Sequence, residues 1–178
     1  MRRKVTVIAS ALVTVAVVTV GIMWSTWYKP ASTVKVATPV DPRPRSEQEA
    51  DILEATLRRM LKDRSRDQTE YVQILDGRET RDPSEDFLNH LRQATNLEIK
   101  KGTERPDPLS LRGPDKQQER DRIGYLHTVG GITWVSPTEV VIKWRSHYGP
   151  LAATGGNCRV IWENGSWIVK SFNSEWVA

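Results

Sequence analysis

The sequence predicts an α+β fold behind an apolar span: two amphipathic helices come first, and they cover one face of a four- or five-stranded antiparallel sheet that comes last. Three observations predict it. Val5 to Trp24 runs for twenty residues without an ionisable side chain. Apolar residues then recur at helical spacing after Ser46 and again after Ser84. From Ile123 onward the pattern switches to alternation, with Asn164-Gly165 set between two alternating runs.

At about 1.5 Å per residue, a helix over residues 5–24 crosses the roughly 30 Å hydrocarbon layer of a bilayer. Arg2, Arg3 and Lys4 precede it, and Trp24, Trp27, Tyr28 and Lys29 occupy its far end. Basic flanks stay on the cytoplasmic side, so residues 1–4 are expected as a cytoplasmic tip and the bulk of the chain outside the cytoplasm. The rival reading is a cleaved signal peptide, whose apolar core runs only about 7–15 residues to a small-residue cleavage site. The longer run and the bulky aromatic exit favour an uncleaved anchor. The formal charge of +4 is the sum of Arg2, Arg3, Lys4 and Lys29, since the rest of the chain balances acids against bases. A basic pI therefore gives no reason to expect nucleic acid. A single cysteine, Cys158, excludes an intramolecular disulfide, so stability rests on an ordinary core.

Residues 25–45 contain Pro30, Pro39, Pro42 and Pro44 and read as a semi-rigid linker. The domain is expected over 46–178. Ser46 and Glu49 match a capping box, and Ala50, Leu53, Leu57, Met60 and Leu61 follow at helical spacing, which predicts a helix from about Glu47 to Arg64. Tyr71-Val-Gln-Ile-Leu75 reads as a short strand closed by Asp76-Gly77. Asp82-Pro-Ser-Glu-Asp86 starts a second helix, capped by Asp82 or Ser84, that buries Phe87, Leu88 and Leu91 and ends near Asn96. Leu97 to Lys100 reads as a further strand. Residues 102–122 hold three prolines and two apolar side chains, and read as a long, mobile, solvated loop.

The Asn164-Gly165 turn fixes a register in which Trp162 faces Trp167, Val160 faces Val169 and Cys158 faces Ser171, with Phe172 on the opposite face. Alternation puts Val140, Ile142 and Trp144 on the apolar face and Val141, Lys143, Arg145 and His147 on the other. Gly130-Gly131 marks a bulge or tight turn upstream. Trp134, Trp144, Trp162, Trp167 and Trp176 fall in or beside the sheet, either as an aromatic core or as the lining of a pocket for a sugar or other small ligand.

This order, two helices and then a sheet after a single span and a short basic tip, resembles the plan of bacterial inner-membrane secretion components with a periplasmic domain of the nuclear-transport-factor-2-like type. The stretch Tyr148-Gly-Pro-Leu-Ala-Ala-Thr-Gly-Gly156, with Trp167-Ile-Val-Lys-Ser171 and Trp176, also resembles small bacterial proteins of no assigned activity. The first resemblance implies an inner-membrane, single-pass protein with a periplasmic domain in an envelope or secretion assembly. Neither implies a catalytic residue.

Residues 149–156 precede a strand and lack the lysine of a P-loop, so they read as a connection rather than a phosphate cradle. His90, His127 and His147 are scattered, with no partner at metal-ligand spacing, and no strained nucleophile elbow is present. No catalytic residue, cofactor or metal is therefore expected. Lys143, Arg145, His147, Arg159 and Lys170 gather on one sheet face, which is the expected docking surface for an envelope protein or an anionic surface. The function expected is non-catalytic binding or scaffolding, with self-association left open. One alternative is a small-ligand carrier or enzyme using a cavity between helices and sheet, with His127 or His147 beside Asp82 or Asp86. A second is a secreted immunity or inhibitor protein, which requires cleavage of the span.

Overall fold

A computed structural model describes residues 40–107, 109–111, 113–149 and 152–178. Helix α1 (Arg45–Leu61) is followed by β1 (Thr69–Asp76), β2 (Glu79–Arg81), α2 (Glu85–Thr95) and β3 (Ile99–Lys101). A short α3 (Gln117–Asp121) leads into four long strands, β4 (Ile123–Ser136), β5 (Glu139–Gly149), β6 (Ala152–Glu163) and β7 (Ser166–Val177). Three helices thus accompany a mostly antiparallel sheet of seven strands, ordered β2-β1-β4-β5-β6-β7, with β3 also on β1. The expected span over 5–24 lies outside the described residues. Among the described residues, no helix is long and apolar enough to cross a membrane.

The sheet is larger than the expected four or five strands because the Tyr71 segment joins it. β1 runs parallel to β4, pairing Val72 with His127 and Ile74 with Val129, and parallel to β3. Parallel pairing needs a long crossover, and the α2 segment supplies it. Gly77, at φ 62°, turns the chain into β2. Pairing of this kind leaves no turn signature, whereas the β6–β7 hairpin is announced by its own two-residue loop.

Helix α1 buries Ile52, Leu53, Thr56, Leu57, Met60 and Leu61, while Ala50 is exposed. The expected capping box does not form. Pro44 occupies the cap position, and Glu49 Oε1 accepts the indole N–H of Trp134 at 3.3 Å instead. In α2, Ser84 is the cap, its Oγ accepting from the Phe87 N–H at 3.3 Å. Asn96 closes this helix in the left-handed region at φ 57°. Asp82, the other candidate cap, accepts from the backbone N–H of Thr103 at 3.2 Å and also from its hydroxyl.

The β6–β7 register follows the turn as far as Val160 and Val169, then departs from strict alternation. Lys170 is an extra residue, so Cys158 faces Phe172 and not Ser171. One bulged residue reverses the faces of everything beyond it. Phe172 is thereby brought to the core side, stacked on Trp144 with ring centroids 4.3 Å apart. Glu175 forms a second bulge in β7.

The core lies between α1 and α2 on one side and the facing side chains of β1 and β4–β7 on the other. It includes Ile52, Leu57, Leu88, Leu91, Val72, Val129, Ile142, Cys158 and Val160. At the end of the expected linker, Asp41 is buried and accepts from Arg43 and from the indole N–H of Trp167 at 3.3 Å. The 102–122 segment is pinned at its start, where a Cβ on Gly102 would lie 2.1 Å from Cγ of Gln73.

Candidate functional site

Alternation in β5 and β6 sends Val141, Lys143, Arg145 and His147 to the face away from α1, with Asn157, Arg159 and Ile161 beside them. The four expected residues Lys143, Arg145, His147 and Arg159 therefore share one face, and the bulged Lys170 reaches it through Glu163. Their electrostatics differ. Arg159 makes a two-pronged pair with Glu139, Nε at 2.6 Å and Nη2 at 2.9 Å, which lowers the Glu139 pKa and raises that of Arg159. Lys170 Nζ lies 2.5 Å from Glu163. Burial, then the charges of Arg105 and Arg145, lowers the His147 pKa, so this ring is neutral at pH 7. Lys143 and Arg145 are exposed, and among the described residues neither has an ion-pair partner.

One lateral row of this face reads Thr128, Arg145, Gly155, Trp176 across β4 to β7. Gly155 has no side chain because the Trp176 indole occupies that space. A Cβ there would lie 2.5 Å from Cζ2 and 2.8 Å from Cε2 of the ring. Trp176 nonetheless remains 40% exposed. The next row reads Gly130, Lys143, Asn157, Asn173, and Asn157 Nδ2 donates to Glu175 Oε1 at 2.5 Å. Trp176, counted from sequence with the other sheet tryptophans, thus belongs to the charged face.

The opposite face holds a polar chain that motif reasoning missed. Glu70, His127 and Ser146 sit on adjacent strands β1, β4 and β5, in step with Val72, Val129 and Trp144. Glu70 Oε2 lies 2.9 Å from His127 Nε2, and His127 Nδ1 lies 2.9 Å from Ser146 Oγ. Glu70 Oε2 also accepts the Tyr125 N–H at 3.0 Å, a donor released by the irregular pairing of Thr69 and Tyr71 with Ile123 and Leu126. Among the described residues, Glu70 Oε1 has no partner. Hydroxyl, imidazole and carboxylate stand in the order of a nucleophile relay. Glu70 and His127 have no exposure, however, and Ser146 only 4%, so the hydroxyl is covered as it stands. Tyr125 stacks on the His127 side with centroids 5.9 Å apart and packs on Tyr148 at 5.2 Å. The Arg64 guanidinium sits 3.7 Å from the Tyr125 ring centre. The readable signal was the alternation that places Glu70 and Ser146 in step with core residues.

A third feature is a cleft of about 350 Å³ between α1 and the β6–β7 turn, lined by Arg43, Asp51, Arg58, Trp162, Ser166 and Trp167 among others. Its cations are engaged: Arg43 lies 2.7 Å from both Asp41 and Asp51, and Arg58 pairs with Glu54. Among the described residues, no group of three or more His, Cys, Asp or Glu side chains is placed to hold a metal. His127 is beside Glu70, not Asp82 or Asp86. Comparison with protein-family models, with curated proteins and with solved structures yields no match.

Proposed function

We propose that the chain is a membrane-anchored, extracytoplasmic binding or scaffolding domain, non-catalytic, that serves an envelope or secretion assembly through the open face of β5–β7. The anchor is read from Val5–Trp24 and its basic flank. The observation that carries the binding role is the uneven use of charge on that face: Arg159 and Lys170 are neutralised internally, while Lys143 and Arg145 are exposed and free of ion pairs among the described residues. Exposed cations without partners steer and orient an acidic ligand more than they stabilise the fold. Crosslinking the full-length chain in its native membranes and identifying the captured envelope component tests this. Capture is expected to be lost with Lys143→Glu and Arg145→Glu together and kept with Arg159→Gln. Undiminished capture by the double reversal removes this face as the site. A reporter fused after Ala178 that is active only in the cytosol removes the topology.

A second reading, a small-ligand carrier, draws on the cleft at Trp162 and Trp167, whose volume falls within the range of ligand pockets of about 300–1,000 Å³. A ligand there has to compete with the pairs of Arg43 with Asp41 and Asp51, so its affinity would change with Arg43→Gln while envelope capture would not, which separates the two readings. The secreted immunity or inhibitor reading is removed by an intact N-terminus on the mature protein.

A further inference from the structure

We propose that Arg145, Gly155, Asn157 and Trp176 form a binding site for a saccharide that carries a carboxylate. This rests on the reading of the outer sheet face as a binding surface, and it names the ligand. The indole of Trp176 lies over Gly155, in the space where any larger side chain at 155 would collide with it, and yet is 40% exposed. The glycine thus seats a flat aromatic surface on the sheet without enclosing it. A pyranose ring has an apolar face that packs on such a surface, while its hydroxyl and amide substituents need donors and acceptors around the rim. Asn157 and Glu175, already linked at 2.5 Å, and the exposed Asn173 in register with Asn157 supply them. Arg145 occupies the same row on the neighbouring strand, with no acid engaging it among the described residues. A guanidinium presents parallel N–H donors that match a carboxylate.

Two other occupants fit less well. An extended peptide adding to the β7 edge would meet bulges at Lys170 and Glu175, both charged, and such features block strand addition. An anionic membrane surface favours a broad cationic field, whereas Glu139, Glu163 and Glu175 are interspersed here.

Calorimetric titration of the full-length chain with the disaccharide N-acetylglucosaminyl-N-acetylmuramic acid tests the site, with N,N′-diacetylchitobiose as the same framework lacking the lactyl carboxylate. Binding of the acidic disaccharide is expected, at least tenfold weaker for chitobiose, and at least tenfold weaker for Trp176→Ala and for Arg145→Gln. Arg159→Gln is expected to bind as the wild type does. Absence of wild-type binding, equal affinity for the two sugars, or full affinity in Trp176→Ala overturns the inference. A hexaglutamate peptide or phosphatidylglycerol vesicles bound through Lys143 and Arg145 without dependence on Trp176 also overturn it. If any of these results is accompanied by loss of envelope capture in the Lys143→Glu, Arg145→Glu double variant, the ligand class fails and the binding face stands. If capture is also undiminished, both fail.

Discussion

The carboxylate of Glu70 lies 2.9 Å from Nε2 of His127, and neither side chain has any exposure to solvent. The pair joins β1 to β4 across a parallel pairing, and the Ser146 hydroxyl continues it to β5. A buried carboxylate is costly unless its lone pairs are met. Here Oε2 accepts two hydrogen bonds and Oε1 none among the described residues. Such a group specifies which strands pair rather than adding much stability.

That arrangement predicts how stability responds to acid. Burial is the main influence on His127 and holds its pKa below the usual 6.5, with Glu70 pulling upward and Arg64 and Arg105 pushing down. Below about pH 6.5 the unfolded imidazole takes up a proton that the folded one refuses, so the unfolded state binds more protons. The His127 contribution is therefore complete above pH 6.5 and is lost progressively as pH falls toward the folded value. Imidazole titration by NMR is expected to show His127 taking up its proton below the usual imidazole range. Urea midpoints should decline from pH 7 to pH 5.5, and less so in His127→Gln.

Cys158 is predicted to be inert in the folded state. It has no exposure, and burial pushes its thiol pKa up to about 11, against smaller opposing effects of Thr56 and Arg59. The thiolate is the reactive form, and here it is both scarce and covered. A thiol reagent at pH 8 should modify less than about one hundredth as fast as in urea. Rapid modification without denaturant would show that α1 and the sheet separate readily.

The legible part of this fold is what repeats locally. The spacing of Leu53, Leu57, Met60 and Leu61 gave α1, and Asn164-Gly165 gave the β6–β7 hairpin with Trp162 opposite Trp167. The parallel pairing of Val72 with His127 was not legible, because a partner 55 residues away leaves no mark on either strand. Separations of 57 residues between Glu70 and His127 and 19 between His127 and Ser146 likewise hid the chain they form. On the outer face, grouping Lys143, Arg145, His147 and Arg159 needed only alternation. Separating Arg145, unpaired among the described residues, from Arg159 needed the pairing of β5 with β6 that sets Glu139 beside Arg159.

Asp41→Ala is predicted to loosen the entry to the domain. The Asp41 carboxylate accepts from the Arg43 backbone N–H at 3.0 Å, from its guanidinium at 2.7 Å, and from the Trp167 indole at 3.3 Å. Arg43 in turn holds the Asp41 pKa below the usual carboxylate range, so this support is present above about pH 4 and fades below it. Removing the acceptor leaves a buried indole N–H unpaired, at a cost of about 1–3 kcal/mol. Trypsin should then cut after Arg45 well before the rest of the domain, and equal resistance would show that the contact does not hold this segment.

Deleting Lys170 tests the bulge that sets the far half of β7. With Lys170 present, Val160 faces Val169 and Arg159 faces Ser171, which brings Phe172 onto Trp144 at 4.3 Å. Without it, a continuous ladder from the Asn164-Gly165 turn keeps Val169 opposite Val160, Ser171 opposite Arg159 and Phe172 opposite Cys158, so Phe172 stays on the core side. Withdrawing one aromatic ring from a half-buried position and breaking its stack is worth about 2–3 kcal/mol. Phe172→Ala should cost that much, with loss of the near-ultraviolet circular dichroism that stacked Trp144 contributes, whereas the deletion should cost less and keep the signal. Lys170→Ala, which keeps the extra residue and loses only the exposed pair with Glu163, should stay within about 0.5 kcal/mol of the wild type. Loss of that signal in the deletion would mean that the bulge itself, and not the pairing of Phe172 with Cys158, holds the ring on Trp144.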